Sequence, residues 1–553
     1  MSDTQLSARA LESKLGEWRT GGSAYRGLAD RIRLLALDGR LTAGTRLPAE
    51  RELGVRLGLS RTTVTAAYRE LRAAGLLSSV RGSGSVVRLP GSGAGSLAAA
   101  GPGSGRASGD TGVLDLSKAT MSALGGLADV AARAAEDLSR HLNGPGFDPV
   151  GIPELRAAIA ERYRVRGLPT DPEQIMVTIG AQHAIALLAR VFVSRGDRVL
   201  IEQPSYPHAV EAFSAAGARL VPVSVTARGS AGSAAEAEAE AGAAVAGLAA
   251  GSGALPARAA GGADPDGSSG WDEPALLQAL RGSNPVLGYL MPDFHNPTGQ
   301  TMPAEQRTRV IEAAARQGTV LIADETMGEL SIDRSDDFMP FAAYAPGERG
   351  SVGINGYGTA VDSGTDVGTG AGTGDRGTVV TVGSVGKTIW GGLRIGWIRA
   401  EPALIRRLVA ARTATDMGTP ILEQLIVTRM LPEMPAILER RSRELRAGRD
   451  HVEALLAERF PEWAVPHVDG GLTAWVNLGR PASSQLALAA RNHGLLVPAG
   501  PRFGVDGAFE RFLRVPFCHG ALEMERAVDA LGLAWGSLLR HPLPDTGYLA
   551  DVV

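Results

Sequence analysis

Lysine is nearly absent from this sequence. Of its 56 basic Lys and Arg residues only Lys14, Lys118 and Lys387 are lysines. Arginine in place of lysine, beside 72 glycines, fits coding bias in a GC-rich genome. Any chemistry that needs a primary amine is therefore confined to three positions. Cysteine is scarcer still: Cys518 alone excludes an internal disulfide framework and any multi-cysteine zinc site. Aromatic residues make up only 5% of the chain, and no metal site is expected. No apolar run approaches the ~20 residues a membrane helix needs. The first residues, MSDTQLSARALESKLGEW, are polar and charged without a signal-peptide core. These absences point to a cytoplasmic protein that does not engage a membrane.

What is present is length and an uneven charge. The 553 residues suggest about two to four domains at roughly 100–200 residues each. Residues 21–90 hold 12 Arg against 5 Asp or Glu, a net of +7, whereas the whole chain carries −3, leaving −10 for the rest. A small basic module on a large acidic body suggests a polyanion-binding domain joined to something else. Residues 1–20 read as an N-terminal arm and 91–112 as a flexible Gly/Ala/Ser linker. Residues 227–270 and 345–378 read as insertions in a body spanning 113–540, and 541–553 as a tail.

Between residues 21 and 90, YRGLADRIRLLALD has helical apolar spacing and Gly39 to stop it. Pro48 is placed to open a second helix, PAERELGVRLG. Gly58 and Leu59 make a tight turn, and Ser60 caps a third helix, RTTVTAAYRELRAAG. LLSSV and SVVRL then form a hairpin. The pattern fits a winged helix-turn-helix, whose second helix offers Ser, Thr and Arg to phosphates and base edges. The run LTAGTRLPAERELGVRLGLSRTTVTAAYRELRAAGLLSSVRGSGSVV closely resembles the GntR-family winged helix-turn-helix. By that resemblance Arg51, Ser60, Arg61, Thr62 and Thr63 contact double-stranded operator DNA, and Arg81 and Gly82 of the wing reach the minor groove. The family often has a basic residue where this chain has Thr65.

Beyond Val113, strand-like runs such as QIMVTIG, DRVLIEQP, VLGYLMPD, TVLIADE and TVVTVGS alternate with amphipathic helices. This predicts an α/β body with a mostly parallel sheet and ligands at the carboxyl ends of its strands. Lys387 follows one strand in a Gly-rich turn, where a desolvated amine suits a Schiff base with an aldehyde. Asp324 ends another strand and could pair with a pyridine nitrogen. Asn296 sits on an Asn-Pro turn, Tyr206 offers an aromatic face, and Gly180-Ala181-Gln182 begins a helix able to bind an anion.

The order GAQ, PSYP, NPTG, AD, SxxK and a late Arg resembles fold-type I pyridoxal-phosphate aminotransferases of the aspartate-aminotransferase class, from about Asp115 to Trp535. The resemblance implies pyridoxal 5'-phosphate as cofactor, with Lys387 as its Schiff-base and catalytic residue and Asp324 on the pyridine nitrogen. It gives Asn296 the phenolic oxygen, Tyr206 the ring face, and Ala181, Gln182, Ser384 and Arg394 the phosphate. The resemblance also implies that Arg514 clamps a ligand carboxylate. Two positions depart from the family: Thr326 stands for a usual tyrosine, and Phe147 lacks the hydroxyl that often reaches a partner subunit's phosphate. A GntR-type reader ahead of such a body resembles MocR-type transcriptional regulators, which implies a homodimer whose body senses an amino acid, amine or pyridoxal-type effector. The alternative is a catalytically active aminotransferase that also binds DNA.

Overall fold

The computed structural model describes residues 5–16, 18, 23–37, 40–41, 44–80, 84–88, 113–227, 270–333, 339–346, 379–505 and 508–540. The expected linker and tail, nearly all of both insertions, and Arg81 and Gly82 of the wing lie outside the described residues.

The head is helical with one hairpin. Helix Ala8–Leu15 is capped by Ser7, whose Oγ accepts from the Ala10 amide at 3.2 Å. Its Ala8, Leu11 and Leu15, with Trp18 beyond, are buried in one cluster with helix Ala24–Leu37. Within the arm expected over residues 1–20, Ala8, Leu11, Leu15 and Trp18 thus belong to the head's core. Apolar residues one and two turns apart form a single face, and the polar residues between them masked it. Helix Glu50–Leu57 starts after Pro48 rather than with it, Ala49 holding the cap position. Gly58 turns the chain at φ 62°, and Ser60 caps helix Arg61–Ala73. Close crossing of the two helices depends on Gly54, where a Cβ would stand 3.0 Å from the Leu59 carbonyl. Strands β1 (Leu77–Val80) and β2 (Gly84–Val87) pair antiparallel as the wing.

The body begins with β3 (Leu114–Asp115), followed by β4 (Ile175–Thr178), β5 (Arg198–Gln203), β6 (Arg219–Ser224), β7 (Leu287–Leu290), β8 (Val320–Asp324), β9 (Val379–Ser384) and β10 (Gly396–Arg399). The sheet order is β4-β10-β9-β8-β7-β5-β6, and β10 alone runs against its neighbours. β7 and β8 are buried along their whole length, as a sheet covered by helices on both faces requires. The carboxyl ends of β4, β5, β7, β8 and β9 lie along one edge. The reversal of β10 brings its first residue, Gly396, to that same edge, opposite Ser384 and Thr178. β11 (Thr473–Asn477), β12 (Leu495–Leu496) and β13 (Phe512–Pro516) belong to a smaller lobe, where β11 pairs with β13 and β12 with β3.

Head and body meet at a buried ion pair. Arg31, 4% exposed on helix Ala24–Leu37, donates through Nη1 to Glu510 Oε1 at 3.3 Å and to Ser484 Oγ at 3.2 Å. Its Nε reaches back to the Leu15 carbonyl at 2.7 Å, so both head helices share the contact. Arg40 adds a bond to the Pro501 carbonyl at 3.3 Å.

Candidate functional site

The strand ends assemble most of the chemistry the motifs suggest. Asp324 closes β8 fully buried, with Tyr289 Oη donating to its Oδ2 at 2.6 Å and the Thr326 amide to its Oδ1 at 3.0 Å. Burial raises its pKa despite those donors. A carboxylate so placed is stabilised by a cation opposite it. The residue that stands for the usual tyrosine thus engages this same aspartate through its main-chain amide.

Lys387 lies in the turn after β9, with Nζ donating to the Ala119 carbonyl at 2.6 Å. Burial, then the Arg514 charge, lower its pKa to about 8. Such an amine is far more often unprotonated at neutral pH than an exposed lysine. The other two lysines have no such setting. Lys118 is exposed beside Asp115, and Lys14, its pKa lowered by burial and then by Arg40, sits on the head.

The expected anion site forms where three backbone segments crowd. Helix Gly180–Phe192 begins at Gly180, φ 75°, and a Cβ there would stand 2.9 Å from Arg394 Nη2. A Cβ on Gly396 would come within 2.6 Å of the Gly180 carbonyl carbon. Only glycines let the helix N-terminus, with Ala181 and Gln182, the start of β10 and the Arg394 guanidinium converge. Arg394 itself adopts φ 53°, which costs a side-chain-bearing residue about 1–2 kcal/mol, and donates to the Ile179 carbonyl at 3.2 Å. Ser384 Oγ donates to the Ile395 carbonyl at 2.9 Å and accepts from the Gly386 amide at 3.0 Å.

Around this floor stand the remaining groups. Asn296 is 9% exposed, and its Oδ1 has no hydrogen-bond partner among the described residues. Tyr206 is half-buried after β5, its pKa raised to about 12 by burial and then by Asp324. Arg514, buried on β13, donates through Nη2 to the Ser117 carbonyl at 2.5 Å, while Nε has no hydrogen-bond partner among the described residues. Burial lowers its pKa to about 10, and it lies 5.0 Å over the Phe503 ring. The segment through Ser117 and Ala119 thus engages both Lys387 and Arg514.

Sequence reasoning missed Tyr289. It read as one more core residue of β7, yet a buried phenol needs a partner, and here that partner is Asp324. It also missed the Arg31–Glu510 contact, which depends on residues hundreds of positions apart. Asp333, His467 and Asp469 bring possible ligand atoms within 4.8 Å, but Arg446 and Arg449 already neutralise Asp333.

On the head, Arg51, Ser60, Arg61 and Thr62 are exposed and Thr63 is half-exposed at the start of helix Arg61–Ala73. Ser60 Oγ lies 2.7 Å from Thr62 Oγ1 and 2.8 Å from Thr63 Oγ1 and accepts from the Thr63 amide at 3.1 Å. Thr65 turns inward, donating to Glu50 Oε2 at 2.7 Å. Its hydroxyl joins two head helices where a basic residue could instead have faced a phosphate.

Pyridoxal phosphate is the cofactor implied by the fold and by the family matched below. The glycine-walled cradle under Arg394 and the set of amine, carboxylate, amide and guanidinium side chains fit it.

Residues 111–242 and 269–531 match the aminotransferase class I and II family, and residues 24–87 match the bacterial regulatory proteins of the gntR family. The chain is 28% identical over 421 residues to a 2-aminoadipate transaminase of Thermus thermophilus, covering 73% of this chain and 86% of that one. It is 27% identical over 474 residues to the probable rhizopine catabolism regulatory protein MocR of Rhizobium meliloti, covering 81% and 80%. Among solved structures, the α-aminoadipate aminotransferase LysN of Thermus thermophilus, complexed with N-(5'-phosphopyridoxyl)-L-leucine, superposes with a TM-score of 0.60 at 25% identity over 78% of this chain and 94% of that one. Among the described residues no helix is long and apolar enough to cross a membrane. The chain belongs to the aminotransferase class I and II family, and it carries a GntR-family helix-turn-helix domain ahead of that body.

Proposed function

We propose that this protein is a DNA-binding transcriptional regulator whose pyridoxal-phosphate-binding body senses an amino acid, amine or pyridoxal-type effector. The observation that carries the proposal is the seating of the GntR-type head, through buried Arg31 and Glu510, on the lobe whose strand β13 bears Arg514. When bound, the cofactor supplies an aldehyde and an electron-withdrawing ring. Lys387 presents the amine to that aldehyde, and Asp324, fixed by Tyr289 and Thr326, faces the pyridine nitrogen. Asn296 donates to the phenolic oxygen and Tyr206 covers the ring. Ala181, Gln182, Ser384 and Arg394 hold the phosphate. Arg514, whose Nε has no partner among the described residues, takes an effector carboxylate. An effector acts only through its differential affinity for two arrangements of head and body.

On DNA, Arg51, Ser60, Arg61, Thr62 and Thr63 enter a major groove, and Arg81 and Gly82 approach the minor groove. A cytoplasmic homodimer presents two heads to one operator. Support for a dimer lies in exposed Phe147 and Met417, 61% and 59% accessible on either side of the Gly418–Asp148 contact.

The test is fluorescence anisotropy on a duplex that the protein selects from a random pool. It is run without cofactor, with pyridoxal phosphate, and with added amino acids and amines. Affinity that depends on cofactor and on one class of amine supports the reading. Affinity indifferent to all of them refutes sensing, and steady conversion of an amino acid with a 2-oxo acid makes the chain a transaminase instead.

A further inference from the structure

The insertion expected at 227–270 has no role in the reading above, yet its described ends lead into the body. The Thr226 amide donates to the Gly270 carbonyl at 2.7 Å, and Val225 bridges antiparallel to Trp271, so the insertion closes at its base. Trp271 is buried, and its indole N–H donates to Glu202 Oε1 at 2.8 Å.

Glu202 has no exposed surface. Its Oε2 accepts from the Met291 amide at 2.8 Å, and His295 Nε2 lies 3.3 Å away, within ion-pair range but not aligned as a hydrogen bond. His295 is equally buried, meets Trp271 edge-on with ring centroids 5.7 Å apart, and pairs through Nδ1 with Thr298 Oγ1 at 2.8 Å. A buried carboxylate is expensive unless donors surround it, and apolar residues of similar size would often be more stable. The elements joined by this one suggest what keeps it. Glu202 lies on β5 just before the turn to Tyr206, Met291 leaves β7, and His295 immediately precedes Asn296.

We propose that Glu202 is a positioning residue which, with Trp271 and His295, aims the Asn296 amide at the cofactor's phenolic oxygen. Through Trp271, the base of the insertion becomes part of the site. The proposal rests on the reading of Asn296 given above. One carboxylate fixes the exits of β5 and β7 relative to each other, and His295 transmits that register to the next residue.

The test uses the full-length, cofactor-loaded protein and reads the pH midpoint of its visible absorbance band beside far-UV circular dichroism and the thermal midpoint. A donor on the phenolic oxygen stabilises the form in which that oxygen bears most charge, so a mis-aimed amide raises the pH midpoint. Asn296→Ala is expected to raise it by about one unit, the worth of one hydrogen bond. Trp271→Phe, which removes a single N–H, and Glu202→Gln are expected to raise it by about half a unit to one unit with the circular dichroism unchanged. Neither should add to the shift in an Asn296→Ala background. If Glu202→Gln fails to fold, Trp271→Phe carries the test. A lowered thermal midpoint with an unmoved pH midpoint overturns the proposal and leaves Glu202 a structural residue. Equal shifts with and without Asn296 overturn it in favour of a field effect. An Asn296→Ala protein with an unmoved midpoint removes the reading of Asn296 and the proposal with it.

Discussion

Replacing Arg31 by methionine should loosen the head from the body without unfolding either. The side chain is 4% exposed and donates to the Leu15 carbonyl, Ser484 Oγ and Glu510 Oε1. Removing one partner of a buried ion pair costs about 3–5 kcal/mol when the other charge is left stranded. Two features reduce that here. Glu510 keeps the Ser484 amide at 2.9 Å and the Ser484 hydroxyl at 2.5 Å, so its carboxylate is not orphaned. The head can also lift away and return Glu510 to water, which caps the penalty at the free energy of seating. What remains is the hydrogen bonding to a charged group, about 1.5–3 kcal/mol, or about 10- to 100-fold in the opening equilibrium. Hydrogen–deuterium exchange resolves this directly. Protection should fall by that factor at the faces in contact, helix Ala24–Leu37 and the segment around Gly500–Phe512, while helix Arg61–Ala73 stays protected. Arg33→Met is the control, because its pairs with Asp30 and Glu70 are partly exposed and lie wholly within the head, each worth less than about 1 kcal/mol. A double-mutant cycle with Glu510→Gln should return a coupling of more than 1 kcal/mol, about the interaction expected between contacting partners. Unchanged protection at the contact, or equal loss throughout the head, would refute the reasoning.

Other outcomes test the two modules separately. Lys387→Ala should abolish the visible cofactor band while operator binding by the apo-protein stays within twofold; a band that persists would move the Schiff-base role elsewhere. The rate of cofactor capture by apo-protein should rise with pH to a plateau with a midpoint near 8, where the Lys387 amine loses its proton, and not near the ordinary lysine value. By linkage the unfolded chain binds more protons than the folded one between about pH 8 and 10.5, so the apo-protein should gain stability over Lys387→Met across that window; a loss would contradict the burial argument. Arg61→Ala should weaken operator binding by about 1–3 kcal/mol and leave the cofactor spectrum intact, as measured by anisotropy and absorbance. Arg514→Ala should weaken carboxylate-bearing amines by about 10-fold or more, read by spectral titration, and spare simple amines; equal loss for both would remove the clamp.

Much of the site was legible because the sheet imposes an order on its motifs. Asp324 and Ser384 end buried strands, and Lys387 and Tyr206 follow strands within a few residues, so runs of apolar residues marked the edge where they would meet. The helix-turn-helix was legible for a similar reason: Gly58 and Ser60 are local signals of a stop and a start. The register of the site was not legible. Nothing local says that β10 reverses and delivers Gly396 beside Gly180, or that Tyr289 reaches Asp324. Helix Ala8–Leu15 read as a loose arm because its apolar face becomes meaningful only against helices that the sequence places farther on.

The near-absence of lysine was decided by sequence alone, and with it the short list of amines. So were the two-module plan, the α/β alternation and the turn chemistry, each carried by contiguous residues whose backbone preferences are local. Tertiary structure decided which lysine matters, since burial and the Arg514 charge act on Lys387 only once the turn after β9 is packed in the fold together with Arg514 of β13. It also decided that Glu202 faces Trp271 and that Arg31 meets Glu510, because low dielectric and exclusion of water are properties of packing between distant segments and have no counterpart in an extended chain.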